Sequence, residues 1–118
     1  MTVKTTAKTA SGRYDGLLRS KEYKTIKQDL LDQLDADGTT GEYYVDLVGD
    51  YMSLWINKTL LQADIRDRGV SVFYNNGGGQ SGRKKNDSVA DLIKTNSQML
   101  KLLEALHIKP AGGVDDEL

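Results

Sequence analysis

The chain has 118 residues, no cysteine, one histidine and a formal net charge of −1. That length suits a single folded domain. The missing cysteines exclude disulfides, thiolate catalysis and cysteine-ligated zinc, and a lone histidine argues against a catalytic triad or a multi-histidine metal site. No run of about 18 apolar residues predicts a membrane span, and the first residues lack the apolar segment of a secretion signal. The composition predicts a non-catalytic binding or assembly protein without cofactor, metal or membrane partner.

Charge is segregated along the chain although the total is small. Segments 1–28, 29–67, 68–101 and 102–118 carry formal charges of +5, −7, +4 and −3. Because electrostatic interactions reach about 10 Å at moderate salt, such blocks say more about partners than the total does. Solvated helix faces are the simpler interpretation of the same pattern.

The N-terminal part is predicted to contain a disordered arm and one short helix. Residues 1–13 are basic and have few side chains to bury, which is typical of disorder. A helix is predicted from about Ser20 to Leu34, where apolar residues recur with helical spacing. Residues 35–38 end this helix, because Gly38 can adopt the left-handed conformation of a helix C-terminus.

Two longer helices form the predicted body of the protein. The first runs from about residue 41 to residue 68, with Thr40 as its N-cap, and would be about 42 Å long. A helix of that length needs a second long helix beside it, and residues 87–106, capped by Asp87 or Ser88, provide one. Their apolar positions predict a core or oligomer interface formed by Tyr51, Leu54, Trp55, Leu61, Ile65, Leu92, Met99 and Leu103.

A β-prone segment connects these two helices. Residues 70–74 favour a strand and residues 75–82 are rich in Asn and Gly. This order predicts a small strand or hairpin with a flexible tip, at the end of an antiparallel helical hairpin. The predicted fold is mainly α, with one domain over residues 14–109 and an acidic tail over 110–118. Because so few helices bury limited surface, the sequence also predicts self-association.

Three motifs with known chemistry are incomplete. Residues 77–82 have the glycine spacing of a dinucleotide fingerprint, but no second strand is expected after them. The same segment departs from a phosphate-binding loop, because Arg83 and Lys84 occupy the positions of its lysine and hydroxyl residues. Residues 35–38 resemble the centre of a calcium loop whose first acidic ligand and bidentate glutamate are missing. None of these motifs therefore predicts a cofactor or a metal.

Basic segments are the candidates for contact with DNA, because Lys and Arg neutralise phosphates. The arm and the region between the long helices supply Lys4, Lys8, Arg13, Arg83, Lys84 and Lys85. The acidic tail is a candidate for contact with a basic partner surface, through Asp115, Asp116 and Glu117. Both sets are equally compatible with solvated, non-binding segments.

Two regions carry a resemblance to a known family. The first region is residues 41–69, where Tyr51, Leu54 and Trp55 precede Asp64-Ile65. The second region begins with the run 83–86, continues with Gln98-Met99-Leu100, and ends with Leu-His-Ile-Lys-Pro at residues 106–110. With the acidic end, this order resembles the small terminase subunits of tailed bacteriophages over about residues 14–118. One departure is Asn86-Asp87, where that family often has Asn-Pro; an Asp can cap the helix that a Pro would start.

The resemblance implies a non-catalytic subunit that recognises phage DNA and assembles into a ring. It further implies recruitment and regulation of a large ATPase-nuclease subunit during genome packaging, in the cytoplasm of the bacterial host. Contact of residues 115–117 with the large subunit is a hypothesis from charge alone. Two other functions stay open: a helical protein-interaction adaptor that binds no nucleic acid, and a small enzyme that uses Asp35, Asp37 and His107.

Overall fold

A computed structural model of the chain describes residues 10–109. Over that range the protein is mainly helical, with four helices and one two-stranded antiparallel sheet, which confirms the predicted fold class. The elements are α1 (Ala10–Leu18), α2 (Lys21–Ala36), α3 (Glu42–Arg68), β1 (Ser71–Gly77), β2 (Gln80–Lys85) and α4 (Asp87–Ala105). Within the described part, no helix combines the length and the apolar character needed to cross a membrane.

Helix α1 overlaps the predicted disordered arm, so that prediction is wrong for residues 10–13. Residues 10–13 lie in this helix, which packs against α3 and α2, while residues 1–9 lie outside the described residues. Two glycines and few apolar side chains weaken the helical pattern of this segment, so tertiary contacts stabilise it. Ser20 separates it from α2: its hydroxyl donates to the Leu17 carbonyl at 2.8 Å and accepts from the Tyr23 N–H at 3.1 Å.

The helix ends agree with the predicted boundaries, but two predicted caps are wrong. Helix α2 ends with Gly38 at φ 75°, as predicted, and the Thr39 N–H donates to the Leu34 carbonyl at 2.8 Å. Helix α3 begins at residue 42, so its N-cap is Gly41 and not Thr40, which lies one residue too early. Gly41 has no side chain and therefore makes no side-chain capping bond. The N-cap of α4 is Asn86 rather than either residue that follows it.

Helices α3 and α4 run in opposite directions along each other. Ser88, near the start of α4, donates to Asp64, near the end of α3, at 2.7 Å. Leu106, directly after α4, packs instead with Val48 and Met52 from the first half of α3. The radius of gyration is 18.6 Å, against about 13 Å for a compact chain of 100 residues. The molecule is therefore elongated along this helical pair.

The buried core extends from the end of the helical pair that α2 covers, which we call the apolar end, to Ile56 and Met99 near the middle. Helix α2 packs there against α3, and the Tyr23 and Trp55 rings form a T-shaped pair with centroids 6.0 Å apart. Burial of apolar surface away from water is the main stabilising force at this end. Its cluster of buried side chains comprises Leu30, Leu34, Val48, Met52 and Leu106.

The residues predicted as core or oligomer interface all have at least part of their surface covered within the single chain. Met99 is buried, and Tyr51, Trp55 and Leu103 pack against the core cluster. Burial also raises the pKa of the Tyr51 phenol. The other four positions are half-buried: Leu54, Leu61, Ile65 and Leu92.

Candidate nucleic-acid interface

Strands β1 and β2 form a two-stranded ribbon, residues 71–85, at the opposite end of the helical pair. Gly78 and Gly79 connect the strands with φ angles of 58° and 81°, and a tight hairpin turn requires positive φ at both central residues. The Asn75 side chain accepts a hydrogen bond from the Gly77 N–H at 2.8 Å, next to a bulge in the register. The two strands form the predicted hairpin, and its tip is a defined two-residue turn.

The three consecutive cations of the ribbon point to two different faces. Arg83 pairs across the ribbon with Phe73, and Lys85 pairs with Ser71, on one face. Lys84 pairs with Val72 on the other, because successive side chains of a strand alternate. All three cationic residues are exposed, and residues 71–85 contain no acidic residue. The ribbon therefore presents positive charge on both faces.

The two aromatic residues of β1 differ in their surroundings. The Tyr74 ring lies over Gly82 of the facing strand, where a Cβ atom would meet the Tyr74 hydroxyl at 3.3 Å. Phe73 is 64% exposed on the face that carries Arg83 and Lys85. The Arg83 guanidinium is oriented along this face, since it donates to the Ser71 hydroxyl at 3.1 Å and to the Ser71 carbonyl at 2.7 Å.

A group of hydrogen-bonded polar residues joins the ribbon to the helices; we call it the junction network. It consists of Asp64, Arg68, Asn86 and Ser88. Arg68 donates two hydrogen bonds to the Asp64 carboxylate, at 2.6 Å and 2.8 Å. The Ser88 hydroxyl and the Asn86 amide also donate to this carboxylate, at 2.7 Å and 3.1 Å. Hydrogen bonds from Arg68, Ser88 and Asn86 hold the pKa of Asp64 well below its ordinary range.

Asn86 is the buried centre of the junction network, with 1% of its surface exposed. Its side-chain oxygen accepts from the Ser88 N–H at 2.9 Å and from Arg68 at 3.2 Å. Its amide nitrogen also donates to the Gly69 carbonyl at 2.9 Å, and its backbone N–H donates to the Val70 carbonyl at 2.8 Å. Asn86 thus caps α4 with its side chain and, through side-chain and backbone bonds, connects the start of β1 to the end of β2.

The remaining charged candidates do not join the cations of β2. Arg13 lies on α1, is exposed, and lines a groove with Leu60 and the acidic residues Asp64 and Asp67. These carboxylates make that site less attractive to a phosphate than the acid-free ribbon. The other predicted contacts lie outside the described residues: Lys4, Lys8, Asp115, Asp116 and Glu117.

Several exposed apolar residues are absent from the set predicted as oligomer interface. Ile93 and Leu100, seven residues apart on one face of α4, are 66% and 63% exposed. Val70, Val89 and Ile93 line a groove of about 470 Å³ beside the base of the ribbon. Helix α4 has more apolar residues than one contact with α3 can cover, and this excess is the sequence signal for the exposed face.

The residues of the enzymatic alternative do not form a pocket in the part of the chain that the structure describes. Asp35 and Asp37 are exposed at the end of α2, and His107 is exposed after α4. Among residues 10–109, no group of three or more acidic, His or Cys side chains is arranged to hold a metal ion.

Comparisons of this chain with protein-family models, curated proteins and solved structures find no match. The candidate interface is therefore defined by its own geometry and charge.

Proposed function

We propose that this protein is the small, non-catalytic subunit of a phage DNA-packaging terminase. It binds viral DNA, acts as a homo-oligomeric ring and recruits the large ATPase-nuclease subunit. The observation that carries the proposal is the ribbon, which has three exposed cations and no acidic residue. The resemblance over about residues 14–118 supports the same assignment.

The ribbon is suited in shape and charge to duplex DNA. A two-stranded ribbon fits the major groove, which is about 12 Å wide. Cations on both faces of the ribbon meet phosphates on the two walls of that groove, and each neutralised phosphate releases bound counterions. The junction network fixes the base of the ribbon to α3 and α4, so binding requires little ordering of the chain.

The exposed apolar residues support self-association. The faces that a single chain leaves uncovered include Ile93 and Leu100 on α4 and Tyr43 and Val45 at the start of α3. A second copy that covers these residues would bury apolar surface in addition to the small core of the single chain. Native mass spectrometry at micromolar concentration should show one closed oligomer, and a strict monomer with or without DNA would contradict this part of the proposal.

Binding of a DNA duplex at low salt tests the DNA-recognition part. A variant with Arg83, Lys84 and Lys85 all replaced by Gln should bind much more weakly, because it loses three phosphate contacts. The matched control replaces three exposed lysines on the helices by Gln and should retain most of the affinity: Lys21, Lys24 and Lys101. Equal affinity of wild type and ribbon variant would contradict the proposed interface.

A protein-interaction adaptor is the second candidate function, favoured by the groove of Val70, Val89 and Ile93. An adaptor would bind no DNA, and neutralising the ribbon would leave its partner binding unchanged. The terminase proposal places the contact with the large subunit at Asp115, Asp116 and Glu117. Replacing these three by Asn, Asn and Gln should weaken capture of the large subunit while DNA binding remains.

A further inference from the structure

We propose that Phe73 stacks on an unpaired base, so that the ribbon prefers DNA with unstacked bases over an intact duplex. This inference rests on the proposed function and names the form of DNA that the ribbon recognises. The juxtaposition that carries it is an exposed aromatic ring directly opposite Arg83 and on the same face as Lys85.

Most of Phe73 is left uncovered by the described chain. Its ring is 64% exposed, whereas its neighbour Tyr74 is covered against Gly82 on the other face. Leaving a large apolar ring in water forgoes the stabilisation that burial provides. The ring is therefore free to contact a ligand.

The charge on the Phe73 face selects the class of ligand. Arg83 lies directly opposite Phe73, Lys85 lies diagonally from it on the same face, and no carboxylate is present anywhere in residues 71–85. Two hydrogen bonds to Ser71 orient the Arg83 guanidinium, which has five N–H groups in all. An aromatic surface beside two cations matches a base and its neighbouring phosphates, as in sites for single-stranded nucleic acid.

The form of the DNA follows from the stacking geometry. In an intact duplex the base faces are covered by neighbouring base pairs, so Phe73 contributes only where a base is unpaired or a step is opened. Arg83, Lys84 and Lys85 contact phosphates in either form. Wild type should therefore bind a single-stranded oligonucleotide, or a duplex with an unpaired bulge, more tightly than the matching intact duplex.

Fluorescence anisotropy with these three DNA forms at low salt tests the inference on the full-length protein. Phe73→Leu should lose roughly fivefold or more in affinity for the single strand and the bulged duplex. Its affinity for the intact duplex should change little, because the cations remain. Phe73→Trp should retain the preference, and Thr25→Leu, at an exposed position of α2 away from the ribbon, should leave all three affinities unchanged.

The outcomes separate the two proposals. Quenching of a fluorescent adenine analogue in the single strand by wild type and Phe73→Trp, but not by Phe73→Leu, supports stacking. If wild type binds DNA but Phe73→Leu shows the same affinities and the same preference, the stacking role is overturned while the proposed function stands. Equal loss on all three DNA forms also overturns the preference, and absence of any DNA binding by wild type overturns both proposals.

Discussion

The two ends of the α3–α4 pair are held together by different interactions. At the apolar end, α2 covers a cluster of fully or nearly fully buried side chains that includes Val48 and Met52. At the ribbon end, the junction network joins the strands to the helices through hydrogen bonds centred on Asn86. Apolar packing is strong but unspecific in direction, whereas a buried amide fixes the position of each group that it bonds. Both ends therefore contribute to stability, but only the junction network fixes the orientation of the ribbon.

The largest expected effect is at the apolar end. Met52 is fully buried, so Met52→Ala should lower the free energy of unfolding by about 2–5 kcal/mol through lost burial and the remaining cavity. Urea denaturation followed by circular dichroism measures the change. Ser53→Ala, at an exposed position of the same helix, serves as control and should stay within about 0.5 kcal/mol of wild type.

A somewhat smaller effect is expected when the centre of the junction network is removed. Asn86→Ala leaves the Gly69 carbonyl without its side-chain donor and removes the α4 cap, which should cost about 2–4 kcal/mol in the same denaturation experiment. Gln98→Ala, which removes a side-chain amide at an exposed position of α4, should be close to neutral. A neutral Asn86→Ala would mean that hydrogen bonds do not hold the ribbon end.

The acid dependence of stability reports on Asp64. Its folded-state pKa lies below the unfolded value of about 3.9, so its stabilising contribution is complete above that pH. The contribution is lost as the pH falls from about 4 towards the lower folded-state pKa. Asp64→Asn should therefore be less stable than wild type at neutral pH, and the difference should shrink in acid. A difference that is constant from pH 7 to about pH 2 would contradict the network.

The smallest expected effect concerns the two helix ends at the apolar end. Gly38 and His107 both adopt positive φ, 75° and 58°, directly after a helix, and the following N–H bonds back in both cases. Because glycine avoids the strain of a side chain there, His107→Gly should raise stability by up to about 1 kcal/mol. Gly38→Ala should lower it by a similar amount. Thermal melting of both variants measures the effects, and a destabilising His107→Gly would contradict this interpretation.

The long helices and the position of the hairpin could be predicted from the sequence because their signals are local. Apolar periodicity predicted α2, α3 and α4 to within about two residues at most ends, as is usual for such boundaries. Helix α1 was missed because its glycines and sparse apolar residues give no clear period. Asn86, Asp87 and Ser88 are all good cap residues, so only the three-dimensional contacts with Asp64 and Gly69 distinguish the first of them.

The candidate site was predicted in composition but not in arrangement. The run 83–85 indicated positive charge, yet its division between two faces depends on the pairing of β2 with β1. Phe73 looked like an ordinary strand residue, because exposure depends on what the rest of the chain leaves uncovered. The same holds for Ile93 and Leu100, which the apolar pattern of α4 could not separate from its buried positions.

The salt dependence of DNA binding tests the central claim most directly, namely that the ribbon end binds DNA while the apolar end maintains the fold. For the variant with Gln at positions 83, 84 and 85, the slope of log affinity against log salt concentration should decrease in magnitude by about 2–3, roughly one for each lost phosphate contact. Met52→Ala should keep the wild-type slope under conditions where it remains folded. An unchanged slope in the ribbon variant would contradict the account.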